Sequence, residues 1–397
     1  MNGRVYGLAM SELAATRDIL QALVGFDTTS RHSNLALIEW VEAYLDGHGV
    51  PHRRAPNADG SKTNLLATIG PSIEGGAVLS GHTDVVPVDG QAWTSDPWTI
   101  AERDGRLYGR GTCDMKGFLA LALATVPDLI AARPKKPVHL AFSYDEEIGC
   151  LGAPLLIDLI GRELPKPAFV VVGEPTDMVA VNGHKGINYY TVVVSGHEAH
   201  SSQTHLGVSA NVEAVRLMAS LVALADKLER DGDPASPFIP RGATLTIGTI
   251  HGGTAGNILA RECKFIFDLR CPPGLDADVI LTPFLAEAAA LDAALKARSP
   301  DAGVVVKGYA ATPPFAPEPD GLAETFARRF AGDNGPSRVV SYGAEAGQFQ
   351  AAGFSTVLCG PGSIEQAHQP DEYVEISQLE RGQAFMRRLV EWAAATP

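Results

Sequence analysis

The chain has 397 residues, more than one hydrophobic core ordinarily serves, so two domains or one domain carrying an insertion are expected. A composition of 45% hydrophobic and 20% charged residues is that of a folded globular protein and excludes a disordered or fibrous one. With 32 Lys and Arg against 46 Asp and Glu, a net charge of −14, the chain is ill suited to a nucleic-acid backbone, whereas an acidic excess suits bound cations if carboxylates converge in a pocket.

The first elements are two helices, "SELAATRDILQALVGF" and "NLALIEWVEAYLDGHG", the second running into Gly47 and Gly49, where a C-cap is expected. Then come "TNLLATIG", "AVLSGHTDVVP", "VHLAFSYDEE" and "AFVVVGEP", short apolar runs interrupted by the helical "GFLALALATVPDLIAAR". That alternation predicts an α/β sandwich around a sheet buried on both faces. From about residue 183 the strands read as half-buried, in "INYYTVVVSG", "TLTIGTIHGG" and "CKFIFDLRC", with helices over 211–229 and 276–297, so a small α+β domain with an antiparallel sheet is expected. Buried-strand patterning returns in "RVVSY" and "STVLCGPG", ahead of a final helix. The expected organisation is a catalytic domain from 1–183 and 301–397, interrupted by an inserted domain over 184–300.

Five scattered cysteines, Cys113, Cys150, Cys263, Cys271 and Cys359, form no CxxC pair, so neither a disulfide framework nor a thiolate zinc site is indicated. The start lacks the apolar core of a signal peptide and no run has the length of a membrane span, so a cytoplasmic protein without a membrane partner is expected.

Ligands of open α/β sheets bind beyond the carboxyl ends of the strands, which directs attention to polar residues just after apolar runs. These are His82 and Asp84 in "LSGHTDVVP", Asp114 in "GRGTCDMKG", Glu146 and Glu147 in "SYDEEIG", Glu174 in "VVGEPTD" and His368 in "EQAHQPDEY". Histidines and carboxylates without thiolates suit a pair of Zn²⁺, Co²⁺ or Mn²⁺ ions and hydrolysis by an activated water. On an extended strand His82 and Asp84 face the same side, which assigns His82 to a cation and Asp84 to the distal imidazole nitrogen. Asp114, in a Gly-rich loop, is the candidate bridge. By the same alternation Glu146 and Glu147 point to opposite sides and need not compete for one position. Taken singly, each acid reads equally as a solvated strand end or a helix cap; His139 reads as a core histidine, and His32, His48 and His52 as surface residues.

Together, "GHTDVVP", "GRGTCDMKG", "DEEIGCLG", "GEPT", "GHEAHSS" and "QAHQPDEY" resemble, in order and spacing, the M20 metallopeptidases, and "GPGSIEQAHQPDEYV" resembles the acetylornithine deacetylase branch of that family. The resemblance implies a metal-dependent exopeptidase-like α/β/α sandwich with a ferredoxin-like inserted lid that also dimerises, and deacetylation of N2-acetyl-L-ornithine. It implies two cations per subunit, zinc first, one among His82, Asp114 and Glu174 and the other among Asp114, Glu147 and His368. Glu146 would be the general base and His200 an oxyanion donor from its own subunit or a neighbour's. Asn257 and Arg270 would bind substrate. Arg270 also reads as a lid salt bridge, and Glu345 as either a receptor for a cationic substrate side chain or a helix-start carboxylate. Two departures stand out: Ala260 where the family often has Pro, and the form of "SSQTHLG". The alternatives are a relative acting on another N-acyl amino acid or a dipeptide, and a binding protein that has lost catalysis.

Overall fold

The computed structural model describes residues 2–396, with side chains from Leu13 onward. The chain divides into two compact units: Met1–Gly183 with Ala316–Arg338 and Ala344–Pro397, and His184–Phe315 with Val339–Gly343.

In the first unit the strands Ala77–His82, Val138–Ser143 and Phe169–Pro175 are buried at every residue, as expected of a sheet covered on both faces. From its edge the sheet runs His52–Pro56, Thr63–Ile69, Val138–Ser143, Ala77–His82, Phe169–Pro175, Thr356–Gly360, Val181–His184. Ala77–His82 is parallel to both of its neighbours, whereas Thr63–Ile69 is antiparallel to Val138–Ser143, so the sheet is mixed. The parallel centre brings the ends of three strands to one edge, and the candidate ligands follow from it.

Leu79, Leu140, Phe142 and Val171 alternate along these strands and join Leu119, Leu123, Phe385 and Leu389 of the covering helices in one core. The helix Ala153–Glu163 packs on Thr63–Ile69 and Val138–Ser143, but its buried Leu156, Ile157 and Ile160 lie outside that core, which places it on the opposite face. Gly173 permits the close approach of the helix Lys116–Ala124: a Cβ there would stand 2.0 Å from Cγ of Phe118. The single helix expected over 117–133 is instead two, Lys116–Ala124 and Val126–Ala132, because Pro127 lacks an amide hydrogen and is tolerated only in a first turn.

A short antiparallel sheet of Ala101–Arg103, Arg106–Tyr108 and Tyr373–Glu375 has strands of only three residues and no readable period. It pairs Tyr373 with Tyr108, and so carries the segment after His368 alongside the segment before Asp114.

The second unit is a four-stranded antiparallel sheet in the order Thr244–Gly252, Glu262–Cys271, Gly186–Ser195, Gly303–Thr312, with the helices Ala210–Arg230 and Ala277–Arg298. Strand, helix, two strands, helix and strand in that spatial order form the ferredoxin-like arrangement. Phe265, Phe267 and Leu269 alternate inward against Leu217, Leu221, Leu281 and Phe284. Two boundaries differ from the sequence reading. Gly303–Thr312 pairs with Gly186–Ser195 as the fourth strand, so the unit runs past residue 300, and Val339–Gly343 of "RVVSY" also belongs to it. The strand Gly303–Thr312 lies at a sheet edge and packs Val304 and Val306 on the core, but the exposed Val305 between them is apolar too, which hides the alternation in the sequence.

Candidate metal centre

His82 closes its strand and is buried, with Nε2 at 2.9 Å from Asp114 Oδ1 and 4.0 Å from Glu174 Oε1. Its Nδ1 lies 2.9 Å from the backbone carbonyl of Asp84. A carbonyl only accepts, so Nδ1 carries a proton, and Nε2 is the nitrogen turned toward the carboxylates. Asp84 thus meets the distal nitrogen through its carbonyl, while the carboxylate expected to do so stands 3.7 Å from Nδ1. Asp84 lies beyond the end of the strand, where alternation no longer holds. Its carboxylate accepts the Ser30 hydroxyl at 2.6 Å and the amides of Glu146 and Glu147 at 3.1 and 3.2 Å.

The two glutamates are likewise outside a strand, which ends at Ser143. They sit in a turn where the Glu146 carbonyl accepts from Gly149 and Cys150. Their different directions therefore come from a turn pinned by Asp84, not from strand alternation. The Cys150 thiol donates to Glu146 Oε1 at 3.1 Å.

Asp114 is held by its backbone. Glu372, buried, accepts the amides of Gly111, Cys113 and Asp114 at 2.9 to 3.0 Å and the Arg110 guanidinium at 2.7 Å. Asp114 consequently faces two histidines: Oδ1 toward His82, and Oδ2 at 3.4 Å from His368 Nε2. His368 Nε2 also lies 3.0 Å from Glu147 Oε2.

Ligand atoms of His82, Asp114 and Glu147 lie within 4.8 Å of one another, as do those of His82, Glu146 and Glu174. Oε1 of Glu147 and Oε1 of Glu174 are buried with no hydrogen-bond partner. Buried carboxylate oxygens without partners are costly, and a divalent cation satisfies them directly, so this donor set fits one.

The electrostatics agree. Burial, then the neighbouring carboxylates, raise Glu146 to about 8 and Glu147 to about 7, and push Glu174 well above the carboxylate range. Burial pulls the other way on the two partners of Asp114, but hydrogen bonds to that carboxylate hold His82 well above its usual value, and those from Asp114 and Glu147 raise His368 to about 11. Asp114, despite burial, is kept well below the usual range by the two imidazoles.

Glu345 is buried beneath the strands, its oxygens accepting from Ser80 at 2.5 Å and Ser143 at 2.8 Å. With both oxygens engaged inside the sheet, it is no open receptor for a substrate side chain. In the second unit the Ser202 amide donates to His200 Nδ1, which leaves the imidazole proton on Nε2, and the amide of Ser201 bonds to the Asn257 carbonyl. Arg270 is bound by both oxygens of Asp268 and by the Tyr189 hydroxyl, the salt bridge that was its alternative reading. His139 bonds Thr68 through Nδ1 and is buried. Sequence reasoning missed Glu372, Lys62, Ser30 and Cys150; only Glu372 carried a signal, as a second acid four residues past His368.

The profile of peptidase family M20/M25/M40 matches residues 78–392. Acetylornithine deacetylase from Myxococcus xanthus is 35% identical over 390 residues, 95% of this chain and 97% of that protein. The chain belongs to peptidase family M20/M25/M40. Among solved structures of similar fold are human carnosine dipeptidase 1, with a TM-score of 0.76 at 17% identity over 98% and 99% of the two chains. Another is the Bacillus subtilis YXEP protein, described as a dinuclear metal-binding peptidase from the M20 family, with a TM-score of 0.65 at 14% identity over 97% and 99%. As an M20 member the protein is a metal-dependent hydrolase of amide bonds, with a mixed α/β fold consistent with a catalytic domain plus a lid domain.

Proposed function

We propose that the protein removes the acetyl group of N2-acetyl-L-ornithine, releasing L-ornithine and acetate, a step of arginine biosynthesis. The observation that carries this reading is the 35% identity to an acetylornithine deacetylase across nearly the whole of both chains.

In this proposal His82, Asp114 and Glu174 hold one divalent cation and Asp114, Glu147 and His368 the other. Zinc is the first choice for such a nitrogen and oxygen donor set, with cobalt and manganese also accepted. Bound there, the cations supply Lewis acidity toward an amide carbonyl and toward water. Glu146 takes a proton from the attacking water on Oε2, since Cys150 occupies Oε1, and returns it to the leaving nitrogen. Asp84 acts by holding Glu146 in place through its amide. The Nε2 proton of His200 donates to the developing oxyanion, a contact worth about 3 kcal/mol in comparable sites. Asn257 and Arg270 bind the substrate, the latter offering its guanidinium to the α-carboxylate.

We further propose a cytoplasmic homodimer formed through the inserted domain. Supporting it are exposed Val212, Val215 and Val222 at helical spacing on Ala210–Arg230, and exposed Ile250 on the edge strand Thr244–Gly252.

The test is a panel of N-acetyl, N-formyl and N-succinyl amino acids and dipeptides, run on enzyme stripped with chelator and reconstituted separately with Zn²⁺, Co²⁺ and Mn²⁺. The expected result is metal-dependent turnover with the highest kcat/KM for N2-acetylornithine. A higher value for a dipeptide or a succinyl amino acid would reject the substrate assignment, and turnover untouched by chelation would reject the metal.

A further inference from the structure

Asp145 stands beside Glu146 and Glu147 and has no part in the chemistry above. Its backbone has φ +55°, a conformation unfavourable for a non-glycine residue that persists only where the surroundings impose it. Its carboxylate is engaged by the ammonium group of Lys62, which also donates to the Ser30 carbonyl. The Ser30 hydroxyl donates to Asp84 at 2.6 Å, and Asp84 accepts the amides of Glu146 and Glu147. These contacts close a ring that starts at Asp145, passes through Lys62, Ser30 and Asp84, and returns to the two residues following Asp145. The Asp145 carbonyl adds a bond from the Leu151 amide at 2.9 Å, fixing the far side of the turn.

Lys62 and Asp145 are exposed by only 13% and 12%, so the pair is largely withdrawn from water, and removing one partner strands the charge of the other. Lys62 comes from a distant part of the chain, just before the strand Thr63–Ile69 of the central sheet. It thereby transfers the rigidity of the sheet to a turn that lies outside any strand.

We infer that Lys62 is a positioning residue for the hydrolytic reaction: through Asp145 and Ser30 it fixes the turn in which Glu146 and Glu147, adjacent in sequence, aim their carboxylates at different tasks. The inference rests on the proposed role of Glu146 as proton carrier. It differs from a purely stabilising ion pair in a readable way. A stabilising pair, when lost, lowers the unfolding temperature and leaves the folded enzyme's kcat intact; a positioning pair lowers kcat in enzyme that is fully folded.

The experiment compares Lys62→Met, Lys62→Arg, Asp145→Asn and Glu146→Gln in metal-reconstituted enzyme, reading kcat and KM, metal content by elemental analysis, and the unfolding temperature. Lys62→Met is expected to lower kcat by about tenfold or more, since small misplacements of reacting groups cost that much, with KM changed by less than about twofold and the metals retained. Lys62→Arg restores most of kcat, because it keeps a cation within reach of Asp145 and Ser30. Asp145→Asn keeps the side chain's shape without its charge, lowers kcat in the same direction, and decides the matter should Lys62→Met not fold. The inference is overturned by folded Lys62→Met or Asp145→Asn with a wild-type kcat, or by a Lys62→Arg enzyme no more active than Lys62→Met. If Glu146→Gln keeps wild-type turnover, the role of Glu146 falls; if Glu146→Gln is inactive and Lys62→Met is fully active, the inference about Lys62 falls alone.

Discussion

The Glu372 carboxylate accepts the backbone amide of Asp114 at 3.0 Å while it pairs with the Arg110 guanidinium at 2.7 Å. One buried side chain thus locks the Asp114 loop to the segment that follows His368, so two candidate ligands distant in sequence share a single anchor. Glu372→Ala leaves Arg110 buried without its partner and three amides unsatisfied. Breaking such a pair costs about 3 to 5 kcal/mol, and Glu372→Gln, which retains one carbonyl acceptor, is expected to lose less. Thermal unfolding and chelator competition for the bound metal measure both effects, and metal affinity should fall with stability in the order Gln, then Ala.

Metal loading should expel protons. Without cations burial raises Glu147 to about 7, and hydrogen bonds hold His368 at about 11, so at neutral pH these two proposed ligands carry protons that a cation must displace. Titrating the stripped enzyme at pH 7 should release on the order of one to three protons per subunit. Calorimetry in buffers of different ionisation enthalpy reads this number directly, and a binding enthalpy independent of the buffer would contradict it.

Glu345, closed in by Ser80 and Ser143, should not discriminate substrate side chains. Glu345→Gln is expected to leave the ratio of kcat/KM for acetylornithine and acetylalanine unchanged within about twofold, while lowering stability by about 1 to 3 kcal/mol through the mismatched hydroxyls. A collapse of that ratio would instead place Glu345 in contact with the substrate.

His139 sets a pH dependence of stability away from the metal centre. Burial pulls it from 6.5 down to about 4, so the folded protein holds it neutral where the unfolded chain protonates it. Its contribution is complete above pH 6.5 and is lost as the pH falls toward 4, a change of about 3 kcal/mol in all. Urea unfolding of the wild type and His139→Leu across that window should show the steeper acid loss in the wild type.

Much of this arrangement was legible because chemistry and pattern coincided. His82 and Glu174 end or close apolar runs, Asp114 follows a Gly-rich loop, and the structure does gather them with Glu146, Glu147 and His368. The supporting layer was not legible. Lys62 and Ser30 act through contacts between segments far apart in the chain, and nothing local distinguishes them from surface polar residues. Alternation also misled where it was extended past a strand end: Asp84 and the Glu146 turn obey hydrogen bonds, not the strand period. The edge strand Gly303–Thr312 escaped because Val305, exposed between the inward Val304 and Val306, is as apolar as they are.

The first unit is assembled from stretches on either side of the second in sequence, with His368 and Glu372 supplied by Ala344–Pro397. During synthesis the first strands and acids leave the ribosome long before the residues that complete and brace the centre. A chain that stops short of that stretch therefore holds a partial set of candidate ligands without their anchor.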